Sequence, residues 1–468
     1  MNKRIVLGWL LRALLVCWIM LVPLVGEAPP ARADAPVVFT VTTEKDCFDG
    51  SGNGTCHCGL PWAPPACSLR AALMEADWAV SQGQDALVQV PDGEFILTVH
   101  NPAYDDPLKD DLDIGQFPPV AGHWIYIQGI GDEPSIIDAD GIGRVLEVGA
   151  GYQVEIQRIV FRNGVEQGGA DHVTRGGGIY FRGNKLVLND VTFDNNEAVI
   201  HPDAPLLSYG GGLYMPQGQL IMEGCTFMGN RGYEGGALYF GQDSSDTGIV
   251  RSTVFDANQS GPSGSAIVAR GYLYLVNSMV SGNGFRQMPG YSAADYSNLT
   301  LHAGGHIQNT TFSIIPQAYG QSYSVTMRGP NQGMLRNNIF RRDPQALGVS
   351  TNCRGLDGGA FFSQGANVAD DHSCLQNPYA EDLVISSDDW ELKELFPSYW
   401  VPYGNSPVVN RRSDSCWAMT YEEGYGFYEA RLEHDILYHA RNDNSCDAGC
   451  VEGLASFGYL PVTFKAGP

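Results

Sequence analysis

A repeat of about 30 residues runs from Val145 to Ala346, and it restricts the fold of this chain more than any other feature. Two short strings recur in it, out of phase with each other. The first is rich in glycine, and the second joins an apolar residue, usually phenylalanine, to an asparagine. The copies read RGGGIYF at 175–181, YGGGLYM at 209–215, EGGALYF at 234–240 and GSAIVA at 264–269, then FRNG at 161–164, FDNN at 193–196, FMGN at 227–230, FDAN at 255–258 and VSGN at 280–283. Such a repeat predicts the stacked strands of a solenoid.

Aligning the copies on the phenylalanine predicts which side chains point inward and stack on their equivalents one coil away, about 4.8 Å along the axis. The aligned sets are Phe161, Phe193, Phe227 and Phe255; Ile159, Val191, Cys225 and Thr253; and Ile156, Leu188, Met222 and Val250. Asparagine tolerates left-handed turns, and stacked amides can hydrogen-bond to each other. The asparagines expected at the strand ends are Asn163, Asn195 or Asn196, Asn230, Asn258 and Asn283. We therefore predict an all-β chain folded as a right-handed parallel β-helix.

Composition narrows the class of partner. Of the 468 residues, 57 are glycine and 17% are charged, which is typical of turn-rich β structure. The net charge of −24 argues against a nucleic-acid partner, since phosphates require a basic face. The same acidity permits cation binding without indicating it.

Residues 1–33 have the pattern of a secretory signal peptide. Lys3 and Arg4 precede an apolar run over 13–25, and Ala31-Arg32-Ala33 is a small-x-small cleavage site. The run is too short to span a bilayer comfortably, and no other stretch is long enough. We therefore expect a secreted or cell-envelope protein with no transmembrane segment in its mature chain.

Ten cysteines follow the signal peptide, and nine of them lie near the ends of the repeat: Cys47, Cys56, Cys58, Cys67, Cys353, Cys374, Cys416, Cys446 and Cys450. In an exported protein they favour disulfides, and the first four lack the paired C-x2-C spacing of zinc sites. Pairing of Cys353 with Cys374 and of Cys416 with Cys446 is predicted from proximity alone. Cys225 lies in an inward column and is predicted to be a buried free thiol, which leaves an odd number of other cysteines.

Both ends of the solenoid are predicted to carry caps. The segment SLRAALMEADWAV at 68–80 has the period of an amphipathic helix, with Ser68 as N-cap, and would shield the open end of the coil. Its apolar face consists of Leu69, Ala72, Leu73 and Ala76. The predicted segments are an N-terminal cap with the first coils at 36–144, repeats at 145–346, an irregular disulfide-rich C-terminal cap at 347–456 and a tail at 457–468.

The segment CSLRAALMEAD at 67–77 resembles the CSLREA-type domain that opens many secreted bacterial β-helix proteins. Further strings resemble that family's first coils, and the glycine-rich and F-x-x-N repeats are similar to those of polymorphic outer membrane proteins. Segments at 365–374, 405–410 and 446–452 resemble the closing region called choice-of-anchor Q. The resemblance implies the fold and secretion, and it implies little about activity.

The sequence shows no catalytic constellation. Parallel β-helices often carry polysaccharide lyases or hydrolases, which need converging carboxylates. The acids of the repeat do not form an aligned set, and His306 is a lone histidine. These acids are Asp190, Asp194, Glu223, Glu234 and Asp256. Solvated side chains on an outer face are the favoured interpretation.

Acids of the first coils could supply oxygen ligands to a calcium ion, although no D-x-[DN]-x-[DN]-G loop is present. Its ligands would be Asp111, Asp113, Asp138 and Asp140. No other cofactor is expected.

One aromatic stripe is expected on the outer face. If the flanking apolar residues face inward, Tyr180, Tyr214 and Tyr239 face outward on successive coils and could stack on sugar rings. Packing against a loop is the simpler alternative. We therefore expect a non-enzymatic protein that binds extracellular polysaccharide or cell surfaces. The alternative is a polysaccharide lyase or glycoside hydrolase, which three acids converging on one outer face within about 6–10 Å would favour.

Overall fold

The structure is a computed structural model. It describes residues 35–49, 52–58, 66–99, 111–168, 173–199, 208–261, 264–285, 296–314, 321–342, 349–375, 378–379, 381–385, 392–396, 399–402, 417–422 and 426–432. The predicted signal peptide, Cys416, Cys446, Cys450 and the tail at 457–468 lie outside these residues. The chain divides into two units, Met1–Pro36 and Val37–Pro468, and every strand and the helix belong to the second.

Short strands separated by turns make up most of the second unit. One helix, α1, spans Leu69–Ser81. The strands are β1 Val37–Thr40, β2 Ala86–Val90, β3 Glu94–Ile96, β4 Leu112–Ile114, β5 Trp124–Gly129, β6 Ser135–Asp138, β7 Leu146–Val148, β8 Gln153–Gln157, β9 Ile159–Arg162, β10 Val165–Glu166, β11 Thr174–Arg175, β12 Ile179–Phe181, β13 Lys185–Asn189, β14 Thr192–Asp194, β15 Glu197–Ala198, β16 Ser208–Tyr209, β17 Leu213–Met215, β18 Gln219–Glu223, β19 Thr226–Met228, β20 Leu238–Phe240, β21 Thr247–Arg251, β22 Val254–Asp256, β23 Gln259–Ser260, β24 Ile267–Ala269, β25 Tyr272–Val276, β26 Met279–Ser281, β27 Gly284–Phe285, β28 Tyr296–Leu301, β29 Gly305–Gln308, β30 Thr311–Ile314, β31 Gln321–Arg328, β32 Gln332–Arg336, β33 Ile339–Arg342, β34 Val349–Leu356, β35 Ala360–Ser363, β36 Val368–Ala369, β37 Leu383–Val384, β38 Leu392–Phe396, β39 Tyr399–Pro402, β40 Trp417–Glu422 and β41 Gly426–Arg431.

Three long parallel sheets form the walls of the coil. Sheet 1 has the order β1-β2-β5-β8-β13-β18-β21-β25-β29-β32-β35, and sheet 2 has the order β3-β6-β9-β14-β19-β22-β26-β30-β33-β36-β37. Sheet 3 runs β4-β7-β12-β17-β20-β24-β28-β31-β34. Each turn of the chain therefore adds one strand to each sheet. This arrangement confirms the predicted parallel β-helix.

The predicted inward columns are confirmed. Phe193 pairs in register with Phe161 and with Phe227, which pairs with Phe255. The ring centroids along this column lie 5.5, 4.4 and 5.0 Å apart, and all four rings are fully buried. Close stacking of equal side chains at the coil spacing gives the core its dispersion and hydrophobic stabilisation.

A buried amide ladder runs beside the phenylalanines. In it, Asn196, Asn230 and Asn258 each donate from Nδ2 to the amide oxygen on the next coil, at 2.9–3.0 Å, and the last acceptor is Asn283. Asn195 instead occupies the left-handed turn at φ 54°, and it donates to Asn163, which has φ 56°. Asn163 and Asn195 therefore sit at strand ends in the left-handed turn and are joined by an amide hydrogen bond, as expected, but outside the buried ladder.

A second, shorter amide column lies where the later strands of sheet 2 begin. The backbone N–H of Thr310 donates to Asn338, and Asn338 Nδ2 donates to Asn367, both at 3.0 Å. Asn367 in turn donates to Asp382 Oδ1 from its backbone N–H at 2.9 Å and from Nδ2 at 3.2 Å. The same columnar principle thus operates at a second corner of the coil.

Helix α1 is the N-terminal cap. Ser68 is its N-cap, accepting from the N–H of Ala71, and the helix packs against β1, β2, β4 and β5. Buried polar residues fasten it to the coil. Arg70 pairs with Asp46 at 2.7 Å, and Asp77 accepts from backbone N–H groups near residue 116. The cap is therefore held by charge as well as by its predicted apolar face.

Three disulfides staple the two ends of the described coil. Cys47 pairs with Cys58 and Cys56 with Cys67, while Cys353 pairs with Cys374 as predicted. Disulfides rather than zinc therefore account for the first four cysteines. Cys225 is a buried free thiol, as expected from its inward position, and burial raises its pKa to about 12.

The C-terminal strands leave the coil pattern. The pairs β38–β39 and β40–β41 are antiparallel. β40 lies against β25 of sheet 1, and Leu432 packs on Val276 and Tyr274 of that strand. Part of this region therefore covers the side of the coil.

Candidate functional site

The candidate site is a column of outward side chains on sheet 3. Strand registers align Asp113 with Glu147, then Tyr180, Tyr214 and Tyr239 on successive coils. The neighbouring residues of each tyrosine are fully buried in the core, so strand alternation sends the tyrosine outward. The structure thus brings the three predicted tyrosines together, and we call them the tyrosine column.

The rings of the tyrosine column pack on each other. Their centroids lie 5.3 Å apart for Tyr180 and Tyr214 and 5.1 Å apart for Tyr214 and Tyr239, with interplanar angles of 52° and 42°. Tyr180 and Tyr214 are half-buried, but Tyr239 is only 7% exposed. Neighbouring rings thus occupy ring faces that were expected to stack on sugars. Ring edges and hydroxyl groups are what the column offers to a ligand.

A second column, which sequence reasoning missed, lies beside the first. Arg175 pairs in register with Tyr209, and Tyr209 forms a bridge with Glu234. The Tyr209 ring lies 5.8 Å from that of Tyr214 and 5.3 Å from that of Tyr239. The signal was present in the sequence, because these three residues are the first letters of RGGGIYF, YGGGLYM and EGGALYF.

Burial raises the pKa of Tyr209, Tyr214 and Tyr239. Their phenols are therefore protonated at neutral pH and can donate hydrogen bonds as well as accept them.

Three arginines with acidic partners border the rings. Arg144 and Arg182 each place a guanidinium 5.3 Å from the centre of the Tyr180 ring, and Arg270 lies 5.6 Å from that of Tyr239. Arg144 is buried and bonds Asp111 and Glu166, at 2.8 and 2.9 Å. The partner of Arg182 is Glu147 at 2.7 Å, and that of Arg270 is Glu234 at 3.2 Å.

Three carboxylates converge at the N-terminal end of the tyrosine column. Oxygens of Asp111, Asp113 and Glu147 lie within 4.8 Å of one another. The pKa of Asp113 is raised to about 9. Burial is the largest cause, and the negative charges of Asp111 and Glu147 also raise it. The pKa of Asp111 is raised to about 6 by burial, against the opposing effect of Arg144. Asp113 Oδ2 is buried and has no hydrogen-bond partner among the described residues.

The predicted calcium ligands do not assemble into one group. Asp111 and Asp113 meet Glu147, whereas Asp138 lies on sheet 2, where Arg162 donates to it at 2.6 Å. Asp140 follows in the turn after that strand, and its backbone N–H donates to Asp138 at 2.8 Å. Among the described acids, only the Asp111 group has the oxygen geometry for a shared cation.

The other acids considered in the repeat are dispersed as expected. Asp194 and Asp256 lie in one column with Met228 between them. The remaining three do not share a column, and Glu234 lies in line with Tyr209. Asp190 occupies a left-handed turn with φ 53°, and Glu223 pairs with Arg251 at 3.2 Å.

His306 faces outward on sheet 1. Its ring stacks on Tyr274, with centroids 5.2 Å apart. The structure thus places it on a different sheet from the tyrosine column.

Fold and site together define a parallel β-helix protein with an aromatic and charged column on the outer face of one sheet. No protein-family model, curated protein or solved structure matches the chain. None of the helical residues in the described part of the chain forms a span long and apolar enough to cross a membrane. The disulfides are compatible with an extracellular protein.

Proposed function

We propose that this is a secreted, non-enzymatic protein that binds glycans along the tyrosine column. The observation that carries the proposal is the register of Tyr180, Tyr214 and Tyr239 on three consecutive coils, with Tyr209 beside them. Repetition at the coil spacing suits a ligand that is itself a repeating polymer.

The chemistry of the column fits sugars. Protonated phenols and guanidinium groups donate hydrogen bonds, carboxylates accept them, and ring edges supply apolar contact between them. Because the rings are already stacked and their neighbours are ion-paired, little side-chain entropy remains to be lost on binding. A ligand would therefore meet a preorganised surface.

Secretion forms part of the same proposal. It is supported by the pattern of residues 1–33 and by the disulfides at both ends of the coil. We also propose, from the CSLRAALMEAD string at 67–77 and the repeats, that the chain belongs with the CSLREA-type β-helix proteins.

The test compares tyrosines on two sheets. Tyr180→Ala with Tyr214→Ala should abolish retardation of the protein in gels containing a bound polysaccharide, and Tyr239→Phe should weaken it, since Tyr239 is too buried to truncate. Tyr126→Ala is the matched control, because Tyr126 is a half-buried tyrosine that stacks on an aromatic neighbour of sheet 1. Circular dichroism would verify folding. Unchanged retardation of the folded double variant would sink the proposal.

A second candidate function rests on the three converging carboxylates. Retaining glycosidases hold two carboxyl groups about 5–5.5 Å apart, and the raised pKa of Asp113 would keep it as a proton donor at neutral pH. Incubation with uronate-containing and neutral polysaccharides would decide. New reducing ends or unsaturated uronates that vanish in Asp113→Asn would establish a hydrolase or lyase, and absence of product from the whole panel would remove it.

A further inference from the structure

The arginines around the tyrosine column differ in whether a carboxylate is paired with them. Arg144, Arg182 and Arg270 all have carboxylate partners at 3.2 Å or closer. Arg175 is half-buried and lies near enough to Tyr214 for its charge to oppose the rise of the Tyr214 pKa, but it meets no carboxylate among the described residues. In a chain of net charge −24, a partly desolvated cation without an acid is unexpected, because pairing would offset its desolvation.

Two more arginines and a histidine follow on the next coils. Arg270, His302 and Arg328 close strands β24, β28 and β31 on the same side of sheet 3. Burial, together with the guanidinium charges of Arg270 and Arg328, lowers the pKa of His302 to about 4. Arg328, like Arg175, has no carboxylate partner within the described segments. His302 is therefore neutral at pH 7 and Arg270 is paired with Glu234, so Arg175 and Arg328 are the arginines on this side of sheet 3 that lack a carboxylate partner within the described segments.

We propose that the ligand of the tyrosine column is an anionic glycan, whose carboxylate or sulfate group is bound by Arg175. This inference rests on the proposed glycan-binding function. The strand register places Arg175 in line with Tyr209, beside the tyrosine column, where its charge acts on both Tyr209 and Tyr214. The planar guanidinium of an arginine can form two parallel hydrogen bonds to a carboxylate or sulfate. The polymer's uncharged faces would then contact the tyrosine edges.

The experiment uses the mature chain and four immobilised polymers. These are a polyuronate, the same polymer with its carboxyl groups reduced to alcohols, a sulfated polysaccharide and a neutral one. Wild type should bind one of the two anionic polymers at least roughly tenfold more tightly than the reduced polymer, with an advantage that falls as salt rises. Whichever anionic polymer binds more tightly identifies the charged group.

Arg175→Gln should lose roughly tenfold in affinity for that anionic polymer and keep its affinity for uncharged ones. Arg175→Lys should fall between, since lysine keeps the charge without the planar fork. Arg158→Gln is the matched control, because Arg158 is a half-buried arginine that donates to a backbone carbonyl at a distant corner.

Two results would overturn the inference while sparing glycan binding. One is equal affinity of wild type for the polyuronate, its reduced form and the sulfated polymer. The other is an equal loss on all polymers in Arg175→Gln, which would show that Arg175 only positions Tyr214. Failure of wild type to bind any polymer would contradict the proposed function as well, so the two failures are distinguishable.

Discussion

The phenylalanine column inside the coil and the tyrosine column outside it belong to the same repeat. They differ in how far the residue type is kept from one coil to the next. The inner position stays aromatic through Phe161, Phe193, Phe227 and Phe255. The outer position changes from Asp113 and Glu147 to three tyrosines and then to Val268. Packing at interior density dictates the first sequence. The second is free to vary, so a run of equal residues there marks a surface with its own purpose.

The largest expected effect separates the two columns by stability. Phe227→Ala should lower the free energy of unfolding by about 3–5 kcal/mol, because it opens a cavity between two stacked rings. Tyr214→Ala should cost roughly 1–2 kcal/mol, since a half-buried ring loses mainly its two aromatic contacts. Denaturant unfolding measures both. Equal losses would contradict the view that only the inner column holds the fold.

A smaller effect is expected in the amide ladder. Asn230→Ala should cost roughly 2–4 kcal/mol, because it strands the backbone N–H of Asn196 and the carbonyl of Phe193, at about 1–3 kcal/mol each. Asn195→Gly, at the exposed turn one position from the ladder, keeps the left-handed conformation and should change stability by about 0.5 kcal/mol or less. Thermal unfolding of the pair would test this, and a comparable shift in both would refute a special role for the buried amides.

A further prediction concerns the acidic end of the outer column and depends on pH. Since the folded pKa of Asp113 is about 9 against an ordinary 3.8, the folded chain holds an extra proton there between those values. Unfolding free energy therefore falls as pH rises through that window. Asp113→Asn removes this loss and should make the chain more stable than wild type at pH 8, with little difference at pH 4.

The control for this pH effect is Asp132→Asn at an exposed turn, which should leave the pH slope unchanged. A wild-type stability that does not decline between pH 5 and 8 would contradict the raised pKa of Asp113.

The interior was predictable because it obeys one constraint on every coil. On each coil the residue aligned with Phe193 is buried and in register. Aligning the repeats on this residue was therefore enough to predict the inward side chains. The tyrosine column followed from the same alignment. Its near-complete burial at Tyr239 did not, because that depends on what else packs there.

The acidic end and the second column were not predicted for a different reason. Asp113 and Asp138 are close in sequence but enter different sheets, whereas Asp113 and Glu147 are one coil apart. Glu147 precedes the first glycine-rich string and was not aligned with the tyrosines. The second column consists of three different residue types at one position of the repeat, Arg175, Tyr209 and Glu234. A search for similar residues at equivalent positions therefore did not find it.

The amide columns also have an electrical polarity. In each amide–amide bond of the two columns, Nδ2 of the earlier coil donates to Oδ1 of the later coil, so these bonds all run in one direction, with the donor end toward the C-terminus. The same Nδ2 groups also donate to main-chain carbonyl groups of the preceding coil. At the later end of the shorter column stands Asp382, whose carboxylate accepts the last two N–H groups. Its position resembles that of an acidic residue at the N-terminus of an α-helix. There, a negative charge interacts favourably with the positive end of the aligned peptide dipoles. The shorter column of neutral amides thus ends at the carboxylate of Asp382.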